Sequence, residues 1–148
     1  MTTPPRSHRL ARRWGTFPTT ADVGVWATGP NAEALLEALG LGLFAVITDL
    51  RTVRRREERA VSASAEDPRS LVVAFLGELI LLQQTDGFLA RALTVHGMGS
   101  PLTSVLASAS GERFDPARHP ARTEVKAATF HDLRFDPDRG RARVILDI

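Results

Sequence analysis

Cysteine and tyrosine are both absent from the 148 residues, and lysine occurs once, at Lys126. The missing cysteines exclude disulfides, thiolate nucleophiles, thiolate zinc sites and iron–sulfur clusters. Long apolar runs are lacking too: nothing approaches the roughly 18–20 residues of a membrane-spanning helix. The opening MTTPPRSHRLARRWG is basic but has no apolar stretch behind it, so it does not read as a secretory signal. Standard catalytic signatures are missing as well, with no G-x-S-x-G, H-E-x-x-H, P-loop or G-x-G-x-x-G. These absences lead us to expect a soluble, cytoplasmic protein with one domain, of a size that buries a genuine core.

What positive charge there is comes almost entirely from arginine. Apart from Lys126, all of the 19 basic residues are Arg; they face 17 Asp and Glu, for a formal net charge of +2. Almost nothing in such a chain loses a proton between about pH 8 and 12, because Arg titrates only above about 12. A small surplus of charge therefore lifts the sequence pI to about 10.3. The pI reports the choice of Arg, and the small net charge is the better guide to electrostatic steering.

Residues 1–13 combine Pro4-Pro5 with scattered arginines ahead of any periodic pattern and read as a disordered tail; residues 14–148 read as a single domain. Trp14 to Trp26 is an extended segment of β-formers with a kink at Thr19-Thr20-Ala21-Asp22. A helix is expected from Asn31 to Thr48, capped by Asn31, with Leu35, Leu36, Leu39, Leu43, Val46 and Ile47 on one face. Gly40 and Gly42 inside it point to a close crossing with a neighbour. Arg51–Ala65 reads as a strand with one face in water. Asp67 caps a second helix with Pro68 at its first position, a stripe of Leu71, Val72, Phe75, Leu76, Leu79 and Leu82, and a stop at Asp86-Gly87. Four strands follow, over 88–95, 103–114, 122–135 and 141–147. The order β-α-β-α-β-β-β-β implies an α+β fold, two helices packed on a largely antiparallel or mixed sheet.

Most candidate motifs have a plain reading. The glycines of His96-Gly97-Met98-Gly99-Ser100-Pro101 precede no helix and form a hairpin turn. His8, His96, His119 and His131 lack metal-ligand spacing and read as solvated or hydrogen-bonded. Arg54-Arg55-Arg56 with Arg59 lies beside Glu57 and Glu58, either a solvated face or a docking patch for an acidic or RNA-bearing partner.

Three positions are more informative. Asp22, among small residues between two apolar runs, either hydrogen-bonds a turn or ligates a cation. Asp147-Ile148 follows the apolar run Val144-Ile145-Leu146; a terminal carboxylate beside an aspartate at a strand end calls for protonation, strong hydrogen bonds or a cation, unless the terminus frays. All-oxygen ligands of that kind favour Ca²⁺, Mg²⁺ or Mn²⁺. Lys126, the lone lysine among arginines, is either a required compact ammonium or chance, and strand alternation would put it on one face with Glu124.

Three stretches together resemble the archease family. Thr19-Thr20-Ala21-Asp22-Val23-Gly24 is similar to the family's His-Thr-Ala-Asp-Ile-Gly. The second is Gly111-Glu112-Arg113-Phe114-Asp115 with His119, continued by Glu124-Val125-Lys126-Ala127-Ala128-Thr129-Phe130-His131. The third is Val144-Ile145-Leu146-Asp147-Ile148. The resemblance spans about residues 14–148 and departs at Thr19, where the family usually has His. It implies a small α+β protein cofactor, itself no enzyme, of an RtcB-type RNA ligase that uses GTP and Mn²⁺ in tRNA splicing and RNA repair. Such a cofactor promotes ligase guanylylation and multiple turnover and meets RNA indirectly, through the ligase. The family's metal positions fall on Asp22, Asp147 and Ile148, with calcium, manganese or magnesium as the divalent cation, and its important lysine on Lys126, which would serve partner activation or phosphate binding. Alternatives are a chaperone-like modulator of a tRNA methyltransferase, an RNA-binding adaptor using the Arg51–Arg59 strand, and a metal-dependent hydrolase, for which no base or nucleophile is evident.

Overall fold

The computed structural model describes residues 13–148. The expected tail lies outside the described residues except for Arg13, whose carbonyl accepts the Thr28 N–H at 2.8 Å. The described elements are β1 (Trp14–Pro18), β2 (Val23–Thr28), α1 (Ala32–Ile47), β3 (Glu57–Ser64), α2 (Pro68–Asp86), β4 (Phe88–Met98), β5 (Ser104–Arg113), β6 (Ala127–Asp136) and β7 (Arg141–Asp147). The fold is α+β with the expected order of helices and strands; the kinked first segment is a hairpin, β1–β2, turning at Thr19–Asp22. The strands make two antiparallel sheets, ordered β1-β2-β7-β6 and β3-β5-β4.

Both helices begin where their caps dictate. The Asn31 side-chain Oδ1 accepts the Ala34 N–H, and the Asp67 carboxylate accepts the Ser70 N–H, each at 2.8 Å. Helix α2 stops at Gly87, which adopts φ of 66°, a left-handed cap conformation that a side chain disfavours. Each helix packs on both sheets: α1 against β2 and β4, α2 against β6 and β3. A helix in that position must be apolar nearly all round, and α1 buries Leu35, Leu36, Ala38, Leu39, Leu43, Phe44, Val46 and Ile47. Gly40 and Gly42 are its two points of closest approach. A Cβ on Gly40 would collide with Leu93 of β4, and one on Gly42 with Val25 of β2. The glycines thus lower intrinsic helix stability and in exchange let one helix lie against two sheets.

Alternation along β7 divides its residues. Ala142, Val144 and Leu146 are buried in the core cluster with the helices. Arg141, Arg143, Ile145 and Asp147 occupy the opposite, outer face.

Two segments differ from the strands expected of them. Residues 51–56 are a short 3-10 turn, Leu50–Thr52, and an extended lead-in to β3, because the Asp49 carboxylate accepts the Arg51 N–H and fixes the turn. Residues 121–126 lie outside β6. Their backbone is drawn to the end of α1, where Arg122 N–H donates to the Ile47 carbonyl at 3.0 Å and the Thr48 hydroxyl donates to the Pro120 carbonyl at 2.8 Å. Among the described residues no helix is long and apolar enough to cross a membrane.

Candidate metal centre

The β1–β2 loop is closed by its own first and last residues. Thr19 N–H donates to the Asp22 carbonyl at 3.3 Å, and the Asp22 N–H donates to the Thr19 hydroxyl at 3.1 Å. Thr19, at the position of the family's usual histidine, therefore serves the backbone of the turn. The loop fixes where Asp22 leaves the sheet, immediately before the pair Pro18↔Val23.

Register then brings distant segments together. Strand β2 pairs with β7 through Val23↔Leu146, the pair that ends that ladder, so Asp22 and Asp147, the next residue on each side, lie at the same end of the sheet. From the other side, Lys126 N–H donates to the Asp147 carbonyl at 2.8 Å, just ahead of the pair Ala127↔Asp147. Ile148 is half-buried with its side chain against the core, which holds the last residue at this corner. Asp22, Lys126, Asp147 and Ile148 are thus gathered at one end of the first sheet.

Lys126 is exposed and follows Val125, which is fully buried and whose carbonyl accepts from the Gln84 amide at 3.4 Å. The lysine is positioned by that anchor and by its bond to β7. It does not share a strand face with Glu124, as the sequence suggested, because 121–126 is not a strand; Glu124 instead borders a hollow of about 210 Å³ with Gln83 and Phe114.

Among the described residues neither the Asp22 nor the Asp147 carboxylate has an ion pair or a side-chain hydrogen bond. Like charges facing each other on adjacent strands are destabilising unless something offsets them. The donors on offer are oxygens only: two carboxylates and the main-chain oxygen of Ile148. That set fits a hard divalent cation and disfavours a soft one. No cluster of three or more His, Asp or Glu side chains suited to a metal occurs among the described residues. The corner would therefore fill only part of a coordination shell, leaving the remainder to water or to a second molecule. Asp22 also opens onto a pocket of about 270 Å³ bordered by His131, Asp132 and Arg143.

A second charged centre, at Glu112 near the end of β5, went without a role in the sequence. Glu112 is 5% exposed. Its carboxylate accepts from Arg118 Nη1 at 2.9 Å, from the Arg54 N–H at 2.7 Å and from His119 Nε2 at 2.9 Å, with Arg56 at 3.5 Å. His119 Nδ1 accepts the Asp115 N–H at 2.8 Å, which assigns the ring proton to Nε2. The Arg118 hydrogen bond, opposed by burial and reinforced by Arg54 N–H and His119, holds the Glu112 carboxyl at about 2, down from an ordinary 4.5. Every oxygen is satisfied from within, so this centre ties the 52–56 and 115–119 segments to β5. His119 is hydrogen-bonded, as expected; His96 bonds Ser108, His131 is exposed, and His8 lies outside the described residues. The Arg51–Arg59 stretch is neutralised in part: Arg51 pairs with Asp49, and Arg59 with Glu57 and Asp86, while Arg54 and Arg55 have no ion pair among the described residues.

Comparison with known proteins places this geometry among relatives. Residues 14–148 match the model of the Archease protein family. The chain is 36% identical over 141 residues to the protein archease of Pyrococcus abyssi, covering 93% of this chain and 99% of the relative. The solution structure of a Methanobacterium thermoautotrophicum protein superposes with a TM-score of 0.77 at 33% identity, covering 93% of this chain and 99% of that one. A Thermotoga maritima crystal structure, named an archease and possible chaperone, shares the fold with a TM-score of 0.60 at 19% identity over 89% of this chain and 94% of that one.

Proposed function

The chain belongs to the archease family, and from that membership we propose that it is a non-enzymatic activator of an RtcB-type RNA ligase in tRNA splicing or RNA repair. It would promote guanylylation of the ligase and multiple turnover through the corner formed by Asp22, Lys126, Asp147 and Ile148. The observation that carries this reading is the placing of the end of β7, where the pair Val23↔Leu146 brings the residue after Asp22 alongside and Asp147 accepts the Lys126 N–H.

Asp22 and Asp147, with the main-chain oxygen of Ile148, would hold a divalent cation: Ca²⁺, Mn²⁺ or Mg²⁺. Bound there, the cation supplies positive charge for phosphate oxygens. Lys126 adds a compact ammonium that offsets repulsion between the two aspartates and is available to a phosphate of the partner's nucleotide. The exposure of Lys126 and Asp147 suits a site completed by a second protein. The role is positioning and electrostatic, of the kind that stabilises phosphoryl transfer without covalent chemistry by the helper itself.

The test is ligation at limiting ligase with and without this protein. Product beyond one turnover per ligase is expected only with it, and Asp22→Ala, Asp147→Ala and Lys126→Ala should each remove the gain while the proteins stay folded. Unchanged turnover with the wild-type chain contradicts the proposal. A second reading, chaperone-like modulation of a tRNA methyltransferase, draws on Leu81, Leu106 and Phe130, each at least half exposed. Protection of the methyltransferase from aggregation, lost on Leu106→Ser, would favour it.

A further inference from the structure

The outer face of the β1-β2-β7-β6 sheet carries a basic groove at the end away from the acidic corner. Antiparallel register sets Gly15, Trp26, Arg143 and Arg134 in one row across the four strands, and the next row of the same face, two residues on, sets Arg141 between Thr28 and Asp136. Alternation keeps Arg141 and Arg143 on the same face. With Arg139, from the turn before β7, four guanidinium groups border a groove of about 580 Å³ against a single lining carboxylate, Asp136. The groove is therefore locally basic, although the whole chain carries a formal net charge of only +2. Among the described residues Arg134 and Arg141 have no ion-pair partner. Arg139 faces Asp136 loosely at 3.6 Å, and Arg143 pairs with Asp132 at 3.1 Å while its guanidinium lies 5.8 Å from the centre of the Phe17 ring.

The groove also has an aromatic wall. The Trp26 indole lies against the Gly15 backbone, in the space a Cβ would fill, and Trp26 is 37% exposed. A glycine facing an aromatic residue in this way fixes the ring on the sheet. Cations beside an accessible ring suit a ligand that alternates phosphates with planar groups. An acidic peptide would answer the guanidinium groups but leave the indole without a planar partner, and a duplex hides its base faces in the stack. We infer that this groove binds single-stranded nucleic acid, with Arg134, Arg139 and Arg141 on phosphates and Trp26 stacked on a base. The inference rests on the groove alone and goes beyond ligase activation, because the strand is held directly by this chain.

The experiment is fluorescence anisotropy of a labelled oligouridylate of about twelve nucleotides with the full chain, at about 50 mM salt, without ligase or metal. The affinity should fall with salt with a log–log slope near −2, about −0.7 for each of three phosphates. Arg134→Glu with Arg141→Glu should weaken binding at least about tenfold. Trp26→Leu should weaken it about fivefold or more, and Trp26→Phe should retain most of it. An oligothymidylate arm distinguishes RNA from DNA as the source of the strand. Thermal unfolding confirms that each variant is folded. Binding that survives the double reversal, binding tighter to duplex than to single strand, or equal competition by polyglutamate overturns the inference; the last outcome makes an acidic protein surface the occupant. Failure here leaves ligase activation untouched, since that assay reads turnover and the Asp22 corner.

Discussion

Glu112 and Asp147 stand at comparable places, each at the C-terminal end of an inner strand, β5 in one sheet and β7 in the other. Their surroundings differ in kind. Glu112 is buried and receives three hydrogen bonds from its own chain. Asp147 is exposed, lies at the end of the sheet where Asp22 precedes β2, and has no ion pair among the described residues. The contrast separates a carboxylate whose charge is consumed in holding the fold from one whose charge is left for something outside it. Burying a charge is tolerated only with such complete pairing, whereas an exposed acid costs little to leave unpaired.

The two ends of that contrast can be pulled apart by substitution. The largest effect is expected at Glu112→Ala, which leaves Arg118 and the Arg54 N–H without their acceptor; a loss of about 3–5 kcal/mol, read by urea unfolding, is predicted. A milder probe is pH. The Glu112 carboxyl titrates at about 2 in the folded chain and near 4.5 when unfolded. Between those values the unfolded state binds more protons, so stability rises with pH across the window. The contribution is full above about 4.5 and is lost as pH falls through about 2, with a total of roughly 3 kcal/mol. Glu112→Gln should flatten this limb; Asp49, also held near 2 by its hydrogen bonds from Arg51, keeps some slope in the variant.

At the other end, Asp22→Asn and Asp147→Asn should change stability by less than about 0.5 kcal/mol, or raise it by relieving repulsion, while ligase activation falls at least about tenfold. A stability loss as large as that at Glu112 would erase the distinction between the two acids. The smallest effect belongs to Thr19→His, which removes the hydroxyl that accepts the Asp22 N–H. A loss of about 0.5–1 kcal/mol in thermal unfolding is expected, and unchanged stability would show that the loop does not need that bond.

Much of the scaffold is legible in the chain because local chemistry decides it. Asn31 and Asp67 cap the helices where side-chain oxygens and Pro68 predict, and Asp86-Gly87 ends the second. Gly40 and Gly42 signal a close approach, yet nothing local says that the two contacts are with different sheets. The division into two sheets is likewise non-local, since it depends on which strands pair. Segment 121–126 misleads because Val125 and its neighbours have strand-like composition while their hydrogen bonds scatter, Arg122 to the end of α1, Val125 to Gln84 of α2 and Lys126 to β7. Asp22, Lys126 and Asp147 stand out by residue type and family resemblance, but their meeting follows from a register that spans the length of the domain. The role of Glu112 is not legible in the sequence, because its partners Arg54 and Arg118 lie on separate loops. The arginine row with Trp26 is likewise hidden in the sequence, because it exists only across strands.

The central claim is that Asp22 and Asp147, far apart in sequence, act together to hold a divalent cation. Calorimetric titration of Ca²⁺ and Mn²⁺ into the full chain and into Asp22→Asn, Asp147→Asn and the double variant tests it most directly. The account predicts one site in the wild-type chain, lost in either single variant, with no further loss in the double. Binding that persists in the double variant, or a wild-type chain that takes up neither ion, would contradict it.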